Sequence, residues 1–235
     1  ATRDVVGGGS YAEMRAGRTT PMGGVDISMG HLGPDWVAQK FPGMVKRCAD
    51  CGFDLAGGRV EVVPTAHYMM GGAEFEADCT TAIPGLYGAN RLGGNGVANS
   101  TVFGGIAGES MAAAVAAGAP FRAPDEAAIE AGLARAEAPF AGPGRTGLHE
   151  LRETLADAMW EDVGVMRDAA GLARGLERVR AVKAELAETG LADGERPFNL
   201  TWHDWLGLAS LIEISEVIAE AALARADSRG AHYRE

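Results

Sequence analysis

Apolar and polar positions divide the chain into two regimes. In the second half, apolar residues recur every three or four positions. Leu148, Leu151, Leu155 and Met159 form one stripe, Leu172, Leu176, Val179 and Leu186 a second, and Leu211, Ile214, Ile218 and Ala221 a third. That spacing matches the 3.6-residue turn of an amphipathic helix and predicts three helices, with Asp168 near the start of the second. Glu and Arg fill the opposite faces, so the helices are expected to pack on one another as a small bundle. In the first half the pattern is mixed. Residues 11–17 and 33–50 read as helical, Val60, Val62 and Val63 as a short strand ending at Pro64, and Ala82 to Tyr87 as another strand. Residues 98–117 are apolar and small-sided, which predicts a helix buried on most sides. Gly104, Gly105 and Gly108 within it cost helix propensity and predict a neighbour packed very close to that backbone. Residues 7–10, Gly-Gly-Gly-Ser, read as a flexible linker.

Composition sharpens the division. Most of the 34 glycines precede residue 120, beyond which Ala, Glu, Leu and Arg dominate, and Pro120, Pro124, Pro139 and Pro143 punctuate connections around one short helix. Apolar residues make up 47% of the 235, enough for a real core. The longest apolar stretches are broken well before bilayer-spanning length, so no transmembrane helix is expected, and no basic start leads into an apolar run. A net charge of −11 argues against nucleic acid as a partner. It does not exclude an anionic substrate, which a few local arginines can hold. Cysteines are three: Cys48, Cys51 and Cys79. Cys48-Ala49-Asp50-Cys51 has redox or metal spacing, but no second pair completes a zinc site, so no metal is expected and the two read as core thiols. So few thiols suit a reducing compartment.

Two segments carry candidate chemistry. Pro64-Thr65-Ala66-His67-Tyr68-Met69-Met70-Gly71-Gly72 places a histidine between a strand end and paired glycines, where backbone can approach a ligand. Gly88-Ala89-Asn90-Arg91-Leu92-Gly93-Gly94-Asn95-Gly96-Val97-Ala98-Asn99-Ser100 is a glycine-rich loop running into the helix at 98–117. A helix N-terminus offers unpaired N–H groups and a positive dipole end to an anionic or electron-rich ligand. Arg91 adds a planar fork able to take a carboxylate with two hydrogen bonds. Read from the residues alone, this is an anion-binding loop.

These segments, with Pro84-Gly85-Leu86-Tyr87 between them, resemble the signature of the succinate dehydrogenase/fumarate reductase flavoproteins. Thr2-Arg3-Asp4-Val5-Val6 is similar to the family's Arg-Asp-Val-Val segment, and His31-Leu32-Gly33 with Phe41-Pro42-Gly43 to the end of its capping domain. Ser228-Arg229-Gly230-Ala231-His232 is similar to the motif closing its helical domain. The matches are ordered and span the chain. The resemblance implies an α+β fold: residues 1–56 from the capping domain, 57–120 from the C-terminal part of the FAD-binding domain, and 121–235 an all-α helical bundle domain. It implies FAD as cofactor and a succinate/fumarate-type dicarboxylate as substrate. His67 and Arg91 match the residues that hold the carboxylates, and Arg3 matches the arginine that moves the proton. Asn95, Gly96 and Val97 match the loop that touches the flavin ring, with Gly96-Val97 where Ser-Leu is more usual. It further implies a membrane anchor and an iron–sulfur partner subunit, in electron transport and the tricarboxylic acid cycle. The expected location is cytoplasmic or peripheral on the inner face of the cell membrane.

The sequence also departs from that family. No βαβ unit with GxGxxG is present, so the main FAD pyrophosphate site is missing. The upstream segment with a second substrate histidine and the flavin-linking histidine is also missing. Tyr87 runs directly into Gly88-Ala89-Asn90, where the family inserts an Ala-Gly-Glu stretch whose acid binds the FAD ribose, and then a histidine. These absences lead us to expect a fragment, an engineered chain, or a sequence with residues left out. The 235 residues alone are expected to bind FAD weakly or not at all. A catalytically inactive structural or binding module of the family, or an L-aspartate oxidase, is the alternative reading; Pro64-Thr65 and Met69-Met70-Gly71-Gly72 favour succinate/fumarate.

Overall fold

The computed structural model describes residues 3–65, 72–89, 96–120, 123–143 and 147–235, and of Arg3 the backbone alone. The elements in order are α1 (Arg3–Arg15), β1 (Val25–Ile27), α2 (Pro34–Lys40), α3 (Pro42–Asp50), β2 (Val60–Val62), α4 (Gly96–Ala116) and α5 (Glu126–Glu137). They continue with α6 (Leu148–Glu161), β3 (Met166–Arg167), α7 (Ala169–Ala187), α8 (Leu200–Ala224) and β4 (Tyr233–Arg234). Among the described residues the strands form two two-stranded sheets, so the fold is α+β and closes in a helical bundle. None of the described helices is long and apolar enough to cross a membrane. The chain divides into two compact units, one of residues 1–65 with 132–235, the other of residues 66–131.

The bundle of the first unit is α6, α7 and α8. Leu151 and Leu155 of α6 meet Val179, Val182 and Leu186 of α7 and Trp205, Leu208 and Ile212 of α8 in one buried cluster. The stripes expected for α6 and α7 are the ones that pack. Asp168 caps α7, its carboxylate accepting from the Gly171 N–H at 2.8 Å, and that bond holds its pKa below the ordinary value. Asn199 caps α8 in the same way, accepting from the Trp202 N–H at 2.8 Å. The two tryptophans anchor α8: Trp205 Nε1 donates to the Thr189 carbonyl at 3.1 Å and Trp202 Nε1 to the Ala136 carbonyl at 2.8 Å. The α8 stripe is a correction. Its buried face is Trp205, Leu208, Ile212, Ser215, Ala219 and Ala222, while Leu211 and Ile214 stand exposed. The helix is apolar on more than one side, so periodicity could not choose the packed face.

Other expectations change in the same unit. Residues 7–10 are not a linker but the middle of α1. Three glycines make a poor helix by themselves, so tertiary contacts must hold this one. Tyr11 supplies them: it is buried, and its ring meets Trp160 of α6 edge-on at 5.3 Å. The helical stretch at 33–50 breaks at Phe41, because Pro42 disfavours helical backbone in the residue before it. β2 forms as expected and pairs antiparallel with β1, Val25 opposite Val62 and Ile27 opposite Val60. Val37, Leu55 and Val60 form the small core there, with Cys48 packed against it. Cys51 is exposed, so the two thiols are not both core residues.

In the C-terminal segment, Gly230 (φ 60°) makes the tight turn in which Arg229 and His232 exchange backbone hydrogen bonds at 2.9 and 3.0 Å. β4 then runs parallel to β3. Arg167 secures the junction, its Nε donating to the Val163 and Gly164 carbonyls at 3.0 and 2.9 Å and its Nη1 to His232 Nδ1 at 2.8 Å. The Ser228–His232 motif is therefore a structural closure of the bundle.

In the second unit, α4 is the main element. It is not buried on most sides: among its described residues only Asn99 and Ala107 are buried, and Cβ atoms built at Gly104, Gly105 and Gly108 would meet nothing within 4 Å. The close neighbour that those glycines predict is not supplied by the described part of this chain. Ala82 to Tyr87 is likewise not a strand. Pro84 and Gly85 (φ 87°) turn the chain there, leaving isolated bridges Phe75–Thr81 and Thr80–Tyr87. This loop packs on α4: Ser110 Oγ donates to the Asp78 carbonyl at 2.7 Å, and Cys79 Sγ lies 3.6 Å from the Phe103 carbonyl. Gly88 packs closely on this loop, since a Cβ there would stand 3.1 Å from the Phe75 ring.

Candidate functional site

Arg3 opens α1, in the first unit. Positions 3, 7 and 10 share one helical face, spaced by four and then three residues. The same face borders an open groove of about 350 Å³, whose α1 wall is Val6, Gly7 and Ser10 and whose other wall is Val62, Val63, Pro64 and Thr65. That second wall is the end of β2, held in register by Glu61, which takes hydrogen bonds from Thr20 Oγ1 and, at 3.1 Å, from the Gly24 N–H. The glycine at position 7 leaves the groove open, because no side chain projects there. Thus the helix that begins with Arg3 and the strand end that leads in sequence to His67 line one groove, two residues short of that histidine.

His67, Arg91 and Asn95 lie outside the described residues. Gly96 and Val97 are described and are the first two residues of α4, with Val97 85% exposed. The first turn of α4 carries no acidic residue of its own to offset its positive dipole end. Ser100 and Thr101 turn their hydroxyls back to the Gly96 and Val97 carbonyls, at 2.7 and 2.9 Å. Neither is an N-cap, so the amides at this helix end are not taken by these hydroxyls. Asn99 was given no role by the sequence. It is buried, and its Nδ2 has no hydrogen-bond partner among the described residues. A buried amide donor without an acceptor is costly, and one near a helix N-terminus is suited to a group that brings acceptor atoms with it. Nothing in the sequence singled it out, because Ser100 and Thr101 beside it are polar as well. Among the described residues no group of three or more His, Cys, Asp or Glu side chains is gathered to hold a metal ion.

A family model described as the FAD binding domain matches residues 1–101, and one described as fumarate reductase flavoprotein C-term matches residues 152–235. The chain is 33% identical over its whole length to one subunit of the CoM/CoB fumarate reductase of Methanothermobacter marburgensis, covering 44% of that protein. The chain belongs to the succinate dehydrogenase/fumarate reductase flavoprotein family. Within it, the fumarate reductase flavoprotein subunit of Escherichia coli is 31% identical over 99% of this chain and 41% of its own length. The solved Mycobacterium smegmatis Sdh1 complex in the apo form is similar over 100% of this chain and 42% of the matched chain, with a TM-score of 0.82 at 33% identity. The chain thus spans less than half the length of these relatives.

Proposed function

We propose that this chain supplies the dicarboxylate-binding side and part of the flavin contact of an FAD-dependent oxidoreductase that interconverts succinate and fumarate. The observation that carries the reading is the ordered set of family motifs, from Arg3 to His232, in a chain 33% identical along its whole length to a fumarate reductase subunit. On this reading residues 1–56 belong to the capping domain, 57–120 to the FAD-binding domain and 121–235 to the helical domain. His67 and Arg91 hold the two carboxylates, and Arg91 does so with a two-pronged, charge-assisted contact. Fixing both ends of a four-carbon acid places its central carbons for transfer, which is the main service a binding site gives such a reaction. Arg3 delivers a proton to one central carbon of fumarate, or accepts it from succinate in the reverse direction.

FAD, when bound, supplies the hydride chemistry at the other carbon. Asn95, Gly96 and Val97 would line its ring with backbone groups, and the α4 N-terminus would favour an electron-rich face there. The absence of acid in the first turn of α4 and the unpartnered Asn99 amide support that fit. A membrane anchor and an iron–sulfur subunit that exchanges electrons with the flavin complete the reading, with the chain peripheral on the inner face of the membrane.

The test is made on the flavin-loaded protein. Arg3→Gln is expected to lower fumarate reduction by a factor of about 10²–10⁴, the usual share of a positioned proton donor. A dicarboxylate should still perturb its flavin absorbance. Arg91→Gln is expected to weaken dicarboxylate binding by about 10–100-fold, the worth of a charge-assisted hydrogen bond. Full activity in Arg3→Gln, or turnover of aspartate in place of succinate, would overturn the proposal.

A further inference from the structure

We propose that Cys48 and Cys51 are a redox-modification site: a dithiol at the end of α3 that closes reversibly to a disulfide by exchange with small-molecule disulfides of the glutathione class. It stands apart from the dicarboxylate chemistry and does not depend on it.

The geometry comes from the way α3 ends. The Cys48 carbonyl accepts from the Cys51 N–H at 3.0 Å and from the Phe53 N–H at 2.8 Å, and Gly52 (φ 84°) reverses the chain with its own N–H on the Ala49 carbonyl at 2.9 Å. α3 thus ends at Asp50, and Cys51 is its C-cap, with φ −96° and ψ 5°. Residues three apart on a helix hold their Cβ atoms about 5–6 Å apart. A disulfide needs about 3.5–4.5 Å between Cβ atoms. The remaining closure falls at this cap residue, beside Gly52, where it disturbs no further helical turn. The Lys46–Asp50 ion pair at 2.9 Å braces the same turn from the side.

The two thiols differ in access. Cys51 is exposed, whereas Cys48 is half-buried against the Val37–Leu55–Val60 core. That difference assigns the order of events. The Cys51 thiolate attacks one sulfur of the small disulfide; a new S–S bond forms, the old one breaks, and one small thiol leaves. Cys48, as thiolate, then attacks the Cys51 sulfur and expels the second small thiol. The two protons lost by the cysteines go to the two leaving thiolates. Two electrons pass from the dithiol to the small disulfide. Cys79 lies in the other compact unit, fully buried, and takes no part. A zinc site would need two more ligands, and no ligand cluster is gathered among the described residues.

The test uses the whole chain, equilibrated in oxidised or reduced glutathione, quenched in acid, alkylated and cut with trypsin. Cleavage after Arg47 and Arg59 puts both cysteines, and no other, on one peptide. In oxidised buffer that peptide should be lighter than the dithiol form by two hydrogens and take no alkyl groups, then take two after reduction. Cys48→Ser should instead hold one glutathione on Cys51. Full alkylation of the wild-type peptide in oxidised buffer, or glutathione persisting on Cys51 while Cys48 stays alkylatable, would overturn the proposal.

Discussion

Replacing Gly175 with alanine separates close packing from helix propensity. Gly175 lies inside α7, and a Cβ added there would stand 2.8 Å from both Asp162 Cβ and Val163 Cγ2. Carbon atoms in contact prefer about 3.5–4.0 Å, so the neighbours would have to yield by about 0.7 Å or more. They are poorly placed to do so. Val163 is 2% exposed in the Leu172–Ala219 cluster, and Asp162 is held by hydrogen bonds from Arg174 and Arg178. Overpacking of this kind costs about 1–3 kcal/mol, and the setting argues for the upper half. Alanine recovers about 1 kcal/mol of helix propensity, leaving a net loss of about 1–2 kcal/mol. Gly105→Ala in α4 is the control, since its Cβ would meet nothing within 4 Å. It should gain about 0.5–1 kcal/mol. Because the chain has two compact units, hydrogen exchange of α7 and α4 peptides should be followed together with urea unfolding. Exchange in α7 should quicken in Gly175→Ala, and exchange in α4 should slow in Gly105→Ala. A Gly175→Ala protein as stable as the parent would refute the packing argument.

Two further perturbations read charge in the same bundle. Asp162 is buried at the end of α6 and accepts from Arg174 at 2.9 and 2.5 Å and from Arg178 at 2.8 Å. Asp162→Asn should cost about 1–3 kcal/mol in urea unfolding, less than a fully buried pair, because the partly exposed arginines can turn to water; no measurable loss would show that the network is ornamental to stability. His232 is expected to make the closure acid-sensitive. Burial first, and then the Arg167 charge, lower its pKa from 6.5, against a weaker opposing pull from the Arg225 backbone. The guanidinium can only donate, so Nδ1 must accept, and the ring is neutral in the folded state. A histidine whose folded pKa is depressed stabilises fully above its unfolded value, and that contribution is lost as pH falls from about 6.5 toward the folded pKa. The urea midpoint of the parent should fall between about pH 7 and pH 5.5 relative to that of His232→Gln; parallel profiles would remove His232 from the account.

What the sequence could and could not disclose follows from how much each residue's fate is local. The α6 and α7 stripes were legible because polar residues fill their outer faces, so only one face could go inward. α8 and α4 were not, for the opposite reason: Leu211, Ile214 and Val217 on one, and Val97, Val102 and Val115 on the other, are apolar yet exposed. With apolar residues on several sides, a period identifies a helix but not the side that packs. The glycines at 7–9 misled through composition, since nothing local says that Tyr11 will find Trp160, 149 residues away. Ala82 to Tyr87 misled differently, because Pro84-Gly85 is a turn signal inside an apolar run and turn chemistry prevailed.

The candidate site divides along the same line. His67 and Arg91 could be proposed because their types and glycine-rich settings are themselves chemical statements, and the family motifs order them. Arg3 could be named only by likeness. Its placement at the head of the helix whose Val6, Gly7 and Ser10 face Val62–Thr65 across a groove comes from three-dimensional packing of segments about sixty residues apart. Asn99 was invisible as a site residue because its meaning lies in what it lacks. An asparagine in a helix is ordinary; a buried one near a helix N-terminus whose amide meets no acceptor among the described residues is not. Burial and partner geometry are properties of the folded chain, so this part of the site had to be read from the structure.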